Sequence, residues 1–255
     1  MSNQNQTSPK KSLRWLWVAL AVAVIAAIIW GVQWVTYARP PLPDALAALE
    51  SDSAVRVESE PWLIFTPLAG KPSTGLIFYP GGRIDPQGYA SLLRPIAEEG
   101  YLVVVPSMPI NMAIFNAKAA DGIIDHFPEI ESWAISGHSV GGVAAAIFTS
   151  KNPDLIDGLA IWASYPADST DLSGSEIPIY SIYGELDPRA NPAAVAEREH
   201  LLPANTVYVE IQGGDHHQFG SYLIEPEEDH AIITRQDQQE QIIQATLDLL
   251  IQISR

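Results

Sequence analysis

Cysteine is absent from all 255 residues. That excludes a disulfide framework and any Cys-ligated metal site, and it leaves the redox compartment unreadable from thiols. Positive charge is also scarce: 14 Lys and Arg stand against 30 Asp and Glu, for a formal net charge of −16. No acidic residue precedes Asp44, whereas three basic ones, Lys10, Lys11 and Arg14, lie ahead of an apolar run. Beyond that run, 30 acidic residues face 11 basic ones, a formal net charge of −19. Such a surface opposes nucleic acid and anionic lipid, and solubility accounts for it. No internal repeat is apparent. The composition does supply 47% hydrophobic residues, enough for one sizeable core in a chain of this length.

The apolar run comes early. Trp15 to Val32 is 18 residues without a charge, or 21 with Gln33, Trp34 and Val35. At about 1.5 Å per residue, the longer version spans about 31 Å, the depth of a bilayer's hydrocarbon core. Trp15 and Trp17 stand at one end, and Trp30, Trp34 and Tyr37 at the other, as in interfacial aromatic belts. Positive charge ahead of the span assigns residues 1–14 to a cytoplasmic tail and 15–37 to a signal anchor, with the rest exported. Processing at Thr36-Tyr37-Ala38, giving a secreted protein, is the alternative; the run exceeds the roughly 7–15 residues of a signal-peptide core. Residues 38–53 read as a spacer, stiffened by Arg39-Pro40-Pro41-Leu42-Pro43, and a short helix over Asp44–Ser51.

From residue 54 the chain alternates. Apolar runs at Ala54–Val57, Trp62–Thr66, Gly75–Tyr79, Tyr101–Val105, Ser132–Ser136, Leu159–Trp162, Ile179–Tyr183 and Thr206–Ile211 read as strands. Helical patterns fall at Tyr89–Glu99, Asn116–Phe127, from Gly142 to Phe148, at Pro192–Leu201 and at Thr234–Ile253. Near-continuous apolar strands separated by helices predict an α/β fold, a mostly parallel sheet with helices on both faces, over residues 54–255. Ligands bind such sheets beyond the carboxyl ends of the strands.

One motif sits at such an end. Gly137-His138-Ser139-Val140-Gly141 lies between a β-type run and a small-residue helix, where it can hold a serine on a strained turn as a nucleophile. The two glycines let the chain double back, and the Val140 N–H opens a helix that favours an anion. Alone, the pentapeptide also fits a Gly-rich turn with an incidental serine. Partners decide. Asp187 follows the strand Ile179–Tyr183; it fits an acid that orients a base and equally a helix cap, with Glu185 and Asp168 as alternatives. Among six histidines, His216 and His217 follow the last strand after Gly213-Gly214. Serine, acid and histidine thus occur in the order Ser139, Asp187, then His216 or His217, each at a carboxyl strand end.

With these segments the chain resembles the α/β-hydrolase fold family, over roughly Ala54 to Arg255. It is similar to a small, lidless branch that includes dienelactone hydrolases. Relatives of that branch carry Pro-Gly-Gly after the third strand, here Pro80-Gly81-Gly82, and a Gly-Gly-Asn-His-x-Gln-Phe-Gly segment, here Gly213 to Gly220. The resemblance puts the base on His216, with His217 at the variable position. Asp215 replaces the usual Asn, and Ser139 replaces the Cys of dienelactone hydrolases proper. It further implies an oxyanion hole made by the N–H groups of Val140 and Gly82, with Arg83 N–H as an alternative donor, and an open site beside the polar loop Ala163–Glu176.

The expected activity is ester hydrolysis through an acyl-enzyme, on a small-molecule acyl substrate and without cofactor or metal. Acyl transfer, amide hydrolysis and a catalytically silent binding module are the alternatives. Met108–Phe115 fits an acyl pocket or ordinary core, Arg83 fits a substrate carboxylate or a surface ion pair, and Glu225–His230 fits a cation site or a solvated acidic loop, the latter being usual for such a run.

Overall fold

The computed structural model describes residues 14–254. Lys10 and Lys11, with the rest of the expected tail up to residue 13, lie outside them. The chain divides into a unit ending at Tyr37 and a unit from Ala38 onward.

The first unit holds helix α1, Arg14–Thr36, within which Trp15–Trp34 is long and apolar enough to cross a membrane. Apolar residues occupy every side of α1, and none of that stretch is buried in protein. A helix apolar all round needs a non-aqueous surround, which both a membrane anchor and a signal sequence find in the bilayer.

The second unit is built on one eight-stranded sheet. Its strands are β1 Val55–Glu58, β2 Leu63–Pro67, β3 Thr74–Tyr79, β4 Leu102–Val105, β5 Ser132–His138, β6 Gly158–Trp162, β7 Ile179–Gly184 and β8 Val207–Ile211. Each lies within two residues of its expected bounds. The order is β1-β2-β4-β3-β5-β6-β7-β8, with β2 antiparallel to both its neighbours, β1 and β4, and every other pair parallel. Alternate residues feed two cores. On β3, Leu76 and Phe78 join one cluster with α3 (Ala90–Glu98) and α7 (Arg235–Ile253). Ile77 and Tyr79 join the other with α4 (Ala119–His126) and α5 (Val140–Lys151). Both faces being covered is why these strands read as unbroken apolar runs.

The helix bounds depart further from expectation. Helix α2 covers only Pro43–Ala47: beyond it the backbone tightens to three-residue bonds, Leu49 N–H to Leu46 O and Glu50 N–H to Ala47 O, and the Arg94 guanidinium binds the carbonyls of Ala48 and Glu50. Helix α4 begins three residues late, after a 3₁₀ turn over Ala113–Asn116. Helix α6 is Pro192–Glu197, capped by Asn191, and gives way to a 3₁₀ turn at Glu199–Leu201.

Residues 39–42 belong to the stretch read above as a stiff spacer. They lie along the domain as a strap. Arg39 N–H donates to Arg83 O (2.7 Å) and Leu42 N–H to Ser221 O (2.9 Å), while Leu223 N–H donates to Pro40 O (2.9 Å). The Arg39 guanidinium grips Glu228 with two bonds of 2.6 Å. Backbone donors and acceptors that find partners on the domain outweigh the stiffness that proline lends a free linker.

Candidate active site

Tyr79 at the end of β3 lies opposite Gly137 near the end of β5. From these two neighbours the chain runs to opposite halves of the sheet, toward β4 and β6, so a crevice opens between their carboxyl ends. Ser139 stands there between β5 and α5, at φ 53° and ψ −123°. Few L-residues hold that conformation, and it persists only where the surroundings enforce it. Here Ser139 N–H is bound to Trp162 O (2.9 Å), and Gly142 N–H to Ser139 O (2.9 Å). A Cβ on Gly141 would lie 2.1 Å from Tyr79 O, and one on Gly137 would lie 2.4 Å from the Gly141 carbonyl carbon. Only glycine permits this backbone contact between strand, turn and helix.

A cleft of about 220 Å³ opens at the turn, lined in part by Ser139, Val140, Tyr165, Arg189 and His216. His216 Nδ1 lies 2.7 Å from Asp187 Oδ2, and both side chains are buried. The other oxygen, Asp187 Oδ1, accepts from the N–H groups of Arg189 (2.7 Å) and Ala190 (2.8 Å). One carboxylate therefore both caps a turn and binds an imidazole. Glu185 accepts instead from Gly213 N–H (2.8 Å), and Asp168, largely exposed, pairs with Arg198. His217 turns elsewhere: its Nδ1 lies 3.3 Å from Tyr222 Oη and its Nε2 3.4 Å from Arg189 Nη1.

The Arg83 N–H donates to Asn111 O (2.8 Å), so this alternative donor is already engaged. Gly82 abuts Val140: a Cβ there would lie 3.2 Å from Val140 Cγ1 and 2.8 Å from Met112 Sδ. Of the 108–115 segment, Met108 and Ala113 enter the core, whereas Ile110, Ile114 and Phe115 are exposed. None of them lines the cleft, nor does Arg83; the cation there is Arg189.

Several supports were invisible in the sequence. His138, inside the pentapeptide, is fully buried. Gly81 N–H donates to Tyr89 Oη (2.9 Å), Tyr89 donates to His138 Nδ1 (2.8 Å), and His138 Nε2 faces His216 O (3.1 Å). One neutral tautomer satisfies all three contacts. The chain thus ties the Gly81-Gly82 loop to the loop carrying His216. Asp215 is likewise buried and accepts from His217 N–H (2.6 Å) and His230 N–H (2.9 Å). Gln238 on α7 clasps the Asp215 backbone from both sides, at 2.9 and 2.7 Å. The loop 225–230, expected to be merely solvated, joins this assembly through Glu228, Asp229 and His230. The Arg39 hydrogen bonds hold the Glu228 carboxyl down to about 2. Among the described residues, no group of three or more His, Asp or Glu side chains converges as a metal site would.

Burial, with the charge of His216 second, holds His217 down to about 4 and His138 well below the ordinary 6.5. Both rings are neutral in the folded protein at neutral pH. As pH falls through 6.5 the unfolded chain takes up protons that the folded chain refuses, so stability falls with pH. For His217 the loss runs from about 6.5 down to about 4, at up to about 1.4 kcal/mol per pH unit for each such proton. Urea midpoints measured between pH 7 and 5 should decline steadily, and less steeply in His217→Gln. A flat profile in the wild type would contradict this.

The sequence profile of the alpha/beta hydrolase family matches residues 75–240. Solved structures show the same fold. A predicted CIB-like hydrolase from Thermoplasma acidophilum is 16% identical, with a TM-score of 0.56 over 77% of this chain and 98% of that one. The monoacylglycerol lipase of Paleococcus ferrophilus is 14% identical, with a TM-score of 0.55 over 72% and 97%. MGS-MChE2, an α/β hydrolase enzyme from a sediment metagenome of the Mar Chica lagoon in Morocco, is 18% identical, with a TM-score of 0.51 over 64% and 89%. No curated protein matches. With the profile covering well over half of the chain and the sheet, elbow turn and crevice all in place, the chain belongs to the α/β hydrolase family.

Proposed function

We propose that the protein is a membrane-anchored serine hydrolase that cleaves ester-type acyl substrates outside the cytoplasm. One observation carries the reading: a buried Asp187–His216 pair at 2.7 Å faces a cleft whose wall includes the strained Ser139. In this scheme Ser139 Oγ attacks the acyl carbonyl carbon while His216 Nε2 takes the hydroxyl proton. Asp187 holds the ring in the required tautomer and stabilises the imidazolium. The N–H groups of Val140 and Gly82 hold the oxyanion, each such donor supporting the transition state by about 3–4 kcal/mol. The tetrahedral centre collapses, the alcohol leaves with the proton from His216, and an acyl-Ser139 ester remains. Water, deprotonated by His216, then attacks that ester and releases the acid. Covalent labelling of Ser139 by a fluorophosphonate tests the scheme, and an unlabelled serine favours a silent binding module.

Residues 15–37 are proposed as a retained anchor, since Lys10, Lys11 and Arg14 precede the span. In sealed right-side-out vesicles, added protease should digest the domain and spare an N-terminal tag. A protected domain reverses the topology, and a mature chain starting near Ala38 makes α1 a cleaved signal.

A further inference from the structure

The cleft wall holds one cation that the catalytic scheme leaves unused. Arg189 is solvent-exposed and lines the cleft together with Ser139 and His216. Its backbone N–H serves Asp187, and among the described residues its guanidinium has a single hydrogen-bond contact, at 3.4 Å to His217 Nε2. His217 is uncharged, its protonation held down to about 4, so that contact neutralises nothing. The acids nearby are committed elsewhere: Asp187 to His216, Glu228 to Arg39, and Asp215 to three backbone N–H groups. Among the described residues no carboxylate lies within 4.0 Å of the Arg189 guanidinium.

An uncompensated positive charge at this point runs against the composition, since the domain carries 30 acidic and 11 basic residues. A free guanidinium in a partly enclosed cleft is a fork for a planar anion, able to give two parallel hydrogen bonds. We infer that the substrate of this cleft is an ester that also bears a carboxylate, and that Arg189 holds that carboxylate while Ser139 meets the ester carbonyl. This rests on the serine-hydrolase reading above and specifies its substrate class. Charge matching selects carboxylate over a phosphate monoester: one guanidinium balances one negative charge, and the acidic domain repels the second charge of a phosphate.

The test is a ratio of two substrates measured on one enzyme. The full chain is assayed on p-nitrophenyl hydrogen glutarate and on its neutral isostere, p-nitrophenyl valerate. A second pair carries the carboxylate on the leaving alcohol instead. Wild type should favour the carboxylate member of at least one pair by about tenfold in kcat/KM, the scale of one charge-assisted contact. In Arg189→Ala that ratio should fall to about one, with Arg189→Lys in between and high salt acting in the same direction. Ratios near one in the wild type, or a ratio that Arg189→Ala leaves unchanged, overturn the inference. Preference for a phosphorylated ester of equal length overturns the choice of carboxylate. Turnover of the neutral esters reports separately on the hydrolase reading. Should no ester be cleaved, calorimetric titration with glutarate decides: binding that is lost in Arg189→Ala retains the carboxylate site, and no binding removes it.

Discussion

Ser139→Ala is expected to lower ester turnover by about five to six orders of magnitude, the size seen when the attacking atom of a triad is removed. What remains is the contribution of binding and oxyanion contacts. The fold should not register the change. Ser139 shapes the elbow through its backbone, which binds Trp162 O and Gly142 N–H, and alanine can keep both bonds. Urea midpoints should therefore agree within about 0.5 kcal/mol, as for substitutions that leave packing and backbone contacts intact. Fluorophosphonate labelling should vanish with activity. A variant that keeps even a few per cent of wild-type kcat on the same ester would sink the assignment of the nucleophile.

Asp187→Asn should cost about 10⁴-fold in kcat. The two oxygens explain why the amide is the informative replacement. An asparagine Oδ1 can still accept from the N–H groups of Arg189 and Ala190, so the turn survives. Its NH₂ then faces His216 Nδ1, where the carboxylate oxygen sat at 2.7 Å. A donor at that place forces the imidazole proton onto Nε2, and a protonated Nε2 cannot accept the serine proton. Asp187→Ala would mix two effects, since it also strands two backbone donors at a cost of about 1–3 kcal/mol each. If Asp187→Asn keeps kcat within tenfold while Glu185→Gln loses it, the orienting acid has been misassigned.

Much of the architecture is legible because burial on both faces leaves a direct trace. Leu76, Ile77, Phe78 and Tyr79 alternate between two cores, so β3 spells four large apolar residues in a row. Ser139, Asp187 and His216 are legible for a related reason: in a parallel sheet each follows its strand in sequence, and all such exits lie on one edge. The choice between His216 and His217 is not, because adjacent side chains on one short turn point to different partners, Asp187 for one and Tyr222 with Arg189 for the other. Gln238 hides in a helix segment reading Gln-Asp-Gln-Gln-Glu-Gln, where a buried clasp and a solvated amide look alike. The helix ends slip where contacts distant in sequence hold the chain just past them, as when Arg94 grips the Ala48 and Glu50 carbonyls beyond α2. The strap escapes for the same reason, its ion pair joining residues 189 positions apart.

That strap decides where the molecule can be cut. Severing the chain between Tyr37 and Ala38 would leave the Arg39–Glu228 pair and the strap's backbone hydrogen bonds in place. Severing it after Pro43 would carry off Arg39 and leave Glu228 without either guanidinium bond, next to the loop that holds His216. The proline run is therefore a border for truncation: a cut before it keeps the Arg39–Glu228 pair, and a cut behind it removes that pair from the segment whose His230 N–H binds Asp215, the residue before His216.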